Sequence, residues 1–177
     1  MDMSRQIKNI ITITFFLICI GLINFAGQNI DIEIRGINAF TFILIVAVLL
    51  QIIFFIPSFL LKTEKYYDLV GSLTYVTTVS LAYFAVENKT MIDSIIYFYV
   101  MVWASRLGIY LFRRVRNDGK DVRFEKPKRH FFWFLQYWMG QALWVSLTAC
   151  AAIIAILSPE EDTLPVLAMV GMALWLS

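Results

Sequence analysis

The amino-acid sequence predicts an all-α protein built as a polytopic bundle of transmembrane helices. Three observations lead to this prediction: 60% of the 177 residues are hydrophobic, 16% are charged, and the apolar residues collect in long segments. Ordinary soluble domains are about 45–50% apolar and about 25% charged. A soluble fold of this size buries only roughly 70% of the surface of its chain, which would leave much apolar surface in water.

The composition also excludes several other classes of protein. Intrinsic disorder requires low hydrophobicity, and a nucleic-acid-binding domain requires a strongly basic chain, whereas the net charge here is +2. Cys19 and Cys150 both lie in apolar segments, so we expect them to be packed core residues rather than a disulfide. His130 is the only histidine, and no metal site is expected.

Apolar segments of about 20 residues, the length that crosses the hydrocarbon core of a bilayer, occur five times. A sixth begins at Leu164, and by Ser177 it covers about 21 Å of a core that is ~30 Å thick. We therefore expect 1–177 to be a single membrane domain that forms the N-terminal portion of a longer fold. The five full spans are expected at 7–26, 39–61, 69–86, 91–112 and 131–157.

The basic residues alternate between the connections, and this alternation predicts the orientation of the helices. Counting from the N-terminus, the connections contain two, one, two, one, eight and zero lysines and arginines. Since cytoplasmic loops are enriched in these residues, we expect the N-terminus and residues 113–130, called here the basic segment, to be cytoplasmic. The first span is also compatible with a cleaved signal peptide, although cleavage would break the alternation. The membrane is either a bacterial inner membrane or the endoplasmic reticulum.

Polar and aromatic residues form one helical stripe in the fourth span and another in the fifth. Arg106 is a functional candidate, because a charge at the centre of a membrane helix costs about 2.5–3.5 kcal/mol; the alternative is snorkelling to the interface. The side-chain amide of Gln141, near the middle of the fifth span, needs a hydrogen-bond partner. An interhelical hydrogen bond is the alternative to a functional role for this residue. The small residues Ala104 and Gly108 allow close helix packing. The stripes consist of Tyr99, Trp103, Arg106 and Tyr110, and of Trp133, Tyr137, Gln141, Trp144 and Thr148.

Two such stripes, if they faced each other, would form an amphiphilic cleft open towards the cytoplasm. The basic segment lies on that side, and its charge alone is explained by topology and by contact with anionic lipid headgroups. The order of its residues is more specific, because Gly119 is expected to form a turn beside alternating charges and Phe124. Arginine and lysine side chains in such a turn fit nucleotide phosphate groups. Asp68, at the start of the third span, is interpreted as a helix-capping residue on the same side.

Four sequence blocks resemble a known family of membrane proteins. The family is domain of unknown function 1295, which is similar to the C-terminal catalytic domain of steroid 5-alpha-reductases. The resemblance covers about 62–158. The blocks read KTEKYYDLxGSLT at 62–74, WAxRLGxYLxxR at 103–114, GKDxRF at 119–124 and QALWV at 141–145.

The resemblance implies an oxidoreductase that binds NADPH from the cytoplasmic side and reduces a conjugated C=C bond of a lipid or steroid-like substrate. No catalytic residue is assigned by it, and Tyr99, Tyr110 and Tyr137 are alternatives for a proton donor. The implied cofactor-binding residues are Arg106, Arg114, Lys120, Asp121 and Arg123. The implied substrate-binding residues are Tyr99, Trp103, Tyr110, Tyr137, Gln141 and Trp144.

The family's strongest motifs are absent from these 177 residues. They are an Ala-Asp-x-Gln-Lys segment and an Arg-His-Pro-Asn-Tyr segment, both in the C-terminal part of the family, so we expect this chain alone to be inactive. Two other functions stay open. One is a membrane enzyme that resembles isoprenylcysteine methyltransferases and uses S-adenosylmethionine, and the other is a non-enzymatic membrane protein whose basic segment binds anionic lipid.

Overall fold

In a computed structural model of the chain, the described residues, 3–119, 121–158 and 171, are almost entirely helical. Two-residue strands, β1 (Glu33–Ile34) and β2 (Ile37–Asn38), pair antiparallel across a tight turn in which Arg35 and Gly36 have φ of 54° and 75°. The helices are α1 (Met3–Asn24), α2 (Ala39–Leu60), α3 (Tyr67–Ala85), α4 (Met91–Asp118) and α5 (Phe131–Leu157).

The prediction of an all-α helical bundle is confirmed. Four helices, α1, α2, α4 and α5, are long and apolar enough to cross a membrane, and the chain is a multi-pass membrane protein. The third predicted span is also a helix, α3, whose serine, threonine and tyrosine residues lower its hydropathy. The count of five spans stays a prediction, and the sixth segment lies outside the described residues, apart from Gly171.

Helix α3 packs against α2, α4 and α5, and the buried hydroxyl groups of Thr74 and Thr78 find partners within the bundle. The Thr74 hydroxyl donates to the Val70 carbonyl at 2.7 Å and accepts a hydrogen bond from Gln51 Nε2 of α2 at 2.8 Å. The Thr78 hydroxyl donates to the Thr74 carbonyl at 2.8 Å. Because a buried polar group without a partner is costly in a membrane, these bonds allow a polar helix to lie at the centre of the bundle.

Small residues bring α3 and α4 close together, as the sequence predicts. Ala104 is fully buried, and Gly108 packs against Ser72 of α3. A Cβ atom added to Gly108 would lie 2.8 Å from the Cβ atom of Ser72, which is closer than two carbon atoms can approach. The absence of a side chain at Gly108 therefore sets the spacing of these two helices.

The fourth helix is longer than the sequence predicts, because it continues to Asp118 instead of ending at the membrane boundary. It ends where Gly119 takes a left-handed conformation, with φ of 75°, and donates its N–H to the Val115 carbonyl at 3.0 Å. Hydropathy marks where a chain leaves the membrane, but it does not mark where a helix ends. Arginine is a good helix former, so α4 continues beyond its apolar residues until a glycine, a common helix terminator, ends it. Arg113 and Arg114 therefore lie on a helix and not in a loop.

The basic segment and the start of the chain lie at one end of the bundle. The Arg5 guanidinium lies 5.0 Å above the ring centroid of Trp133, so α1 and α5 begin side by side. Arg114, near the end of α4, contacts Asp68, at the start of α3. We call this the basic end, and its composition agrees with the predicted alternation of charge.

An aromatic cluster attaches the connection between α4 and α5 to the bundle. Phe124 is 1% exposed, and its ring centroid lies 4.7 Å from that of Tyr67 and 5.0 Å from that of Tyr137. The Tyr67 hydroxyl donates to the Tyr137 carbonyl at 2.9 Å. The connection therefore folds back onto the first turns of α3 and α5.

We expect the substitution Gly108→Ala to destabilise the bundle by about 1–3 kcal/mol, because the new methyl group overlaps Ser72. Gly21→Ala is the matched control, since a Cβ atom there meets nothing within 4 Å and both substitutions improve helix propensity equally. The measurement is thermal unfolding in detergent. Equal melting temperatures for the two variants would contradict the role assigned to Gly108.

Candidate functional site

A cavity of about 850 Å³ runs along the outer face of α4. Its volume lies within the roughly 300–1,000 Å³ that ligand sites occupy. Aromatic, aliphatic and basic residues alternate along this lining, and Arg113 and Arg114 lie towards the basic end. The described lining residues are Trp103, Arg106, Leu107, Ile109, Tyr110, Arg113, Arg114 and Asn117.

Two of the three arginines in this cavity are exposed and lack an acidic partner. Across 3–119 and 121–158, Arg106 and Arg113 form no ion pair, whereas Arg114 pairs with Asp68 at 3.2 Å. A guanidinium group carries five N–H donors in a planar fork, which suits phosphate and carboxylate oxygens. This part of the cavity can therefore accept an anionic group.

An ion-pair network lies beside the cavity and includes Arg114. Asp68 Oδ2 lies 3.2 Å from Arg114 Nη2 and 3.7 Å from Arg123 Nη2. Asp121 binds Arg123 through several short hydrogen bonds and lies 4.0 Å from Arg114. Three of the predicted cofactor residues, Arg114, Asp121 and Arg123, are thus brought together.

Asp68 is not the helix cap that the sequence suggests. The N-cap position of α3 is Tyr66, and Asp68 lies in the first helical turn, where its carboxylate faces the two arginines. A carboxylate in the first turn still interacts favourably with the helix dipole. Its role in pairing could not be read from α3 alone, because Arg114 is 46 residues away.

The two carboxylates of this network have pKa values shifted in opposite directions. Burial raises the pKa of Asp68, and this effect outweighs the attraction of Arg123 and Arg114. Hydrogen bonds from the Arg123 side chain lower the pKa of Asp121, and the same contacts raise the pKa of Arg123. Asp121 is the carboxylate whose charge the network stabilises most.

A further carboxylate, missed by the sequence analysis, joins the basic end. Glu64 is 4% exposed, and its Oε1 atom accepts a hydrogen bond from the Asp121 backbone N–H at 3.2 Å. Its Oε2 atom lies 2.7 Å from Lys128 Nζ. The local sequence carries no signal for its burial, because its partners Asp121 and Lys128 lie 57 and 64 residues away.

The stripe of α5 lines a second cavity, of about 400 Å³, at the side of α1. Gln141 also contacts α3, because its Nε2 atom would lie 2.5 Å from a Cβ atom added to Gly71. The described lining residues are Phe16, Tyr67, Gln136, Tyr137, Gly140, Gln141 and Trp144.

Tyr75 of α3 lies between the two stripes and was not singled out from the sequence. Its ring packs edge-on against Trp103 of α4, with centroids 4.9 Å apart, and its hydroxyl forms a short hydrogen bond with Thr148 of α5. The Thr148 hydroxyl donates to the Trp144 carbonyl at 2.7 Å, so Tyr75 is the donor to Thr148. The sequence offers one indication of its position: Tyr75 follows Asp68 by about two helical turns and therefore lies on the same face of α3.

The predicted site residues therefore fall into three groups. Trp103, Arg106, Tyr110 and Arg114 line the cavity of α4, while Tyr137, Gln141 and Trp144 line the cavity of α5. Asp121 and Arg123 lie in the ion-pair network. Tyr99 is half-buried beside Phe98, one turn beyond Trp103, and Lys120 lies outside the described residues.

Acidification is expected to loosen the connection between α4 and α5. Because the pKa of Asp121 is lowered in the folded state, its stabilising contribution is present above its unfolded pKa of about 3.9 and is lost as the pH falls through the folded value. Amide hydrogen exchange of residues 121–130, corrected for intrinsic rates, should rise below about pH 4. The rise should be smaller in Asp121→Asn.

Asp68 provides the contrast for this measurement. Because the pKa of Asp68 is raised in the folded state, its contribution to stability is lost as the pH rises from its unfolded pKa to its folded pKa. Asp68→Asn should therefore not reduce the acid-induced exchange. An unchanged acid response in Asp121→Asn would contradict the assignment.

Comparison with known proteins identifies a family for this part of the chain. No curated protein and no solved structure matches the sequence. The family described as "Protein of unknown function (DUF1295)" matches residues 54–177, a range that contains α3, α4, α5, the ion-pair network and the whole described lining of the α4 cavity. The chain belongs to this family of proteins of unknown function.

Proposed function

We propose that this protein is a membrane-embedded oxidoreductase that uses NADPH to reduce a conjugated C=C bond of an apolar, lipid- or steroid-like substrate. The observation that carries the proposal is the cavity of α4, where the unpaired Arg106 and Arg113 share one lining with the aromatic side chains of Trp103 and Tyr110. The resemblance to steroid 5-alpha-reductases supports the same chemistry.

The arginines of the cavity fit a cofactor that carries several phosphate groups. Arg106 and Arg113 form no ion pair with any described residue, so their donors are available to phosphate oxygens. Arg114 lines the same cavity and is held by Asp68. These three residues would bind the phosphates of NADPH, and Arg123 and Asp121 would keep Arg114 in place.

The aromatic side chains of the cavity fit an apolar substrate that enters from the membrane. Trp103 and Tyr110 present flat apolar surfaces, and Trp103 is fixed in position by Tyr75. When bound, NADPH supplies a hydride to the β-carbon of the conjugated bond and leaves as NADP⁺. The α-carbon takes up one proton, so the substrate gains two hydrogen atoms in total.

Tyr110 is our candidate for the group that delivers this proton. Of the three tyrosines considered from the sequence, it is the one that lines the arginine-containing cavity, whereas Tyr137 lines the other cavity and Tyr99 lies a turn beyond Trp103. A proton donor must reach the reacting carbon directly or through one water molecule. Tyr110 also lies one helical turn from Arg106, next to the proposed phosphate site.

NADPH binding to the purified protein in nanodiscs tests the proposal. We expect binding to change NADPH fluorescence, and Arg113→Met to weaken the affinity about 10- to 100-fold, as expected when hydrogen bonds to a charged group are lost. Arg116→Met is the matched control, because Arg116 is an exposed arginine of the same helix outside the cavity lining. It removes the same charge and should change the affinity less than threefold.

Other outcomes of this experiment favour other functions. Equal weakening by the two variants would contradict a specific phosphate site in the cavity. Binding of S-adenosylmethionine in place of NADPH would favour a methyltransferase. Binding of neither compound, with retained affinity for anionic liposomes, would favour a lipid-binding role for the basic segment.

A further inference from the structure

We propose that Glu64 is a positioning residue that holds the connection between α4 and α5 closed over the basic end and thereby orients Arg114 of the α4 cavity. The part of this proposal that concerns phosphate binding rests on the function proposed above. The closed connection itself follows from the contacts of Glu64 alone, because both of its carboxylate oxygens bind this connection.

The backbone that presents Glu64 is held in a tight turn after α2. Lys62 takes a left-handed conformation, with φ of 50°, and donates its N–H to the Phe59 carbonyl at 3.2 Å. The Thr63 N–H donates to the Ser58 carbonyl at 2.9 Å. On the other side, the Tyr67 N–H donates to the Glu64 carbonyl at 3.0 Å. Glu64 therefore projects from a defined turn rather than from a loose loop.

The two partners of Glu64 lie on both sides of the turn that carries Arg123. The Asp121 N–H, at 3.2 Å from Oε1, precedes the short 3₁₀ turn Val122–Phe124, and Lys128 Nζ, at 2.7 Å from Oε2, follows it. Lys128 is itself only 22% exposed. One buried carboxylate thus holds the connection at two points that are seven residues apart.

The contacts continue from Glu64 to the cavity. Glu64 holds the backbone of Asp121, and the Asp121 side chain binds Arg123 and lies 4.0 Å from Arg114. Asp68 binds the same two arginines from the opposite side. Since Arg114 also lines the α4 cavity, a shift of Asp121 would change the direction of a guanidinium group in the proposed phosphate site.

Burial makes this arrangement sensitive to the loss of either partner. A charge-assisted hydrogen bond is roughly twice as strong as a neutral one, and a buried charge left without a partner is strongly destabilising. Opening the connection separates Glu64 from the Asp121 N–H and from Lys128 at once. Neutralising Glu64 or Lys128 should therefore favour the open connection without displacing the helices.

Amide hydrogen exchange of the ligand-free protein in nanodiscs tests the closed connection. Glu64→Gln and Lys128→Met should each raise exchange of residues 121–130 about tenfold or more, in line with the loss of a hydrogen bond to a charged group. Lys126→Met is the matched control, because Lys126 is exposed and is not a partner of Glu64. The double variant Glu64→Gln/Lys128→Met should raise exchange by less than the product of the two single effects.

The same variants, titrated with NADPH, test the positioning role. We expect Glu64→Gln and Lys128→Met to weaken NADPH binding at least fivefold while exchange in α2 and α3 stays at the wild-type level. A general loss of structure would instead raise exchange in all of these elements. If Lys126→Met and Lys128→Met behave alike in exchange, or if the connection opens without any loss of NADPH affinity, the proposal is wrong.

The two proposals fail in different ways. If the wild-type protein binds no NADPH, the proposed function is wrong. The exchange data of the ligand-free protein still decide whether Glu64 holds the connection closed. If NADPH binds but amide exchange in the Glu64→Gln protein equals that of the wild type, the proposed function is supported and the role proposed for Glu64 is wrong.

Discussion

The pairing of two carboxylates, one just before α3 and one in its first turn, with the basic segment is the interaction on which the basic end depends. The side chains of Glu64 and Asp68 are only 4% and 12% exposed, and a buried charge is stable only beside an opposite charge or hydrogen-bond donors. Each binds groups far along the chain: Glu64 binds Asp121 and Lys128, while Asp68 binds Arg114 and Arg123. These contacts close the connection between α4 and α5, and Phe124 closes it further by inserting into the aromatic cluster. The position of Arg114 in the α4 cavity follows from this closure.

Helix α3 links the basic end to the middle of the bundle. Asp68, Ser72 and Tyr75 recur at helical spacing on one face, and each contacts α4 or α5: Asp68 binds Arg114, Ser72 packs on Gly108, and Tyr75 contacts Trp103 and Thr148. The hydroxyl groups of Thr74 and Thr78 on the same helix donate to backbone carbonyls of α3, and Thr74 also accepts a hydrogen bond from Gln51. A polar helix is therefore stable at the centre of an apolar bundle, and it holds the charged and aromatic parts of the α4 cavity in a fixed relation. This arrangement suits a site that must bind a charged cofactor and an apolar substrate together.

Much of this structure could be predicted from local sequence patterns, whereas contacts between residues far apart in the sequence could not. The bounds of α2 and α5 agree with the predicted spans to within one residue, because hydropathy changes sharply there. Gly108 was interpreted correctly, since a small packing residue acts on its immediate neighbours. The end of α4 was missed, because a helix can continue past the membrane boundary. Glu64 and Tyr75 were missed because their hydrogen-bond partners lie 57 to 73 residues away, and nothing in the local sequence distinguishes a buried glutamate from a solvated one.

The proposed function depends on the position of one chemical group, the phosphates of NADPH, relative to α4. The most direct test is an experimentally determined structure of the protein in nanodiscs with NADPH bound. The account predicts phosphate groups in contact with Arg106, Arg113 or Arg114, while Glu64 remains bound to Lys128. A cofactor that touches none of these arginines, or that binds at the opposite end of the bundle near the β1–β2 hairpin, would contradict it.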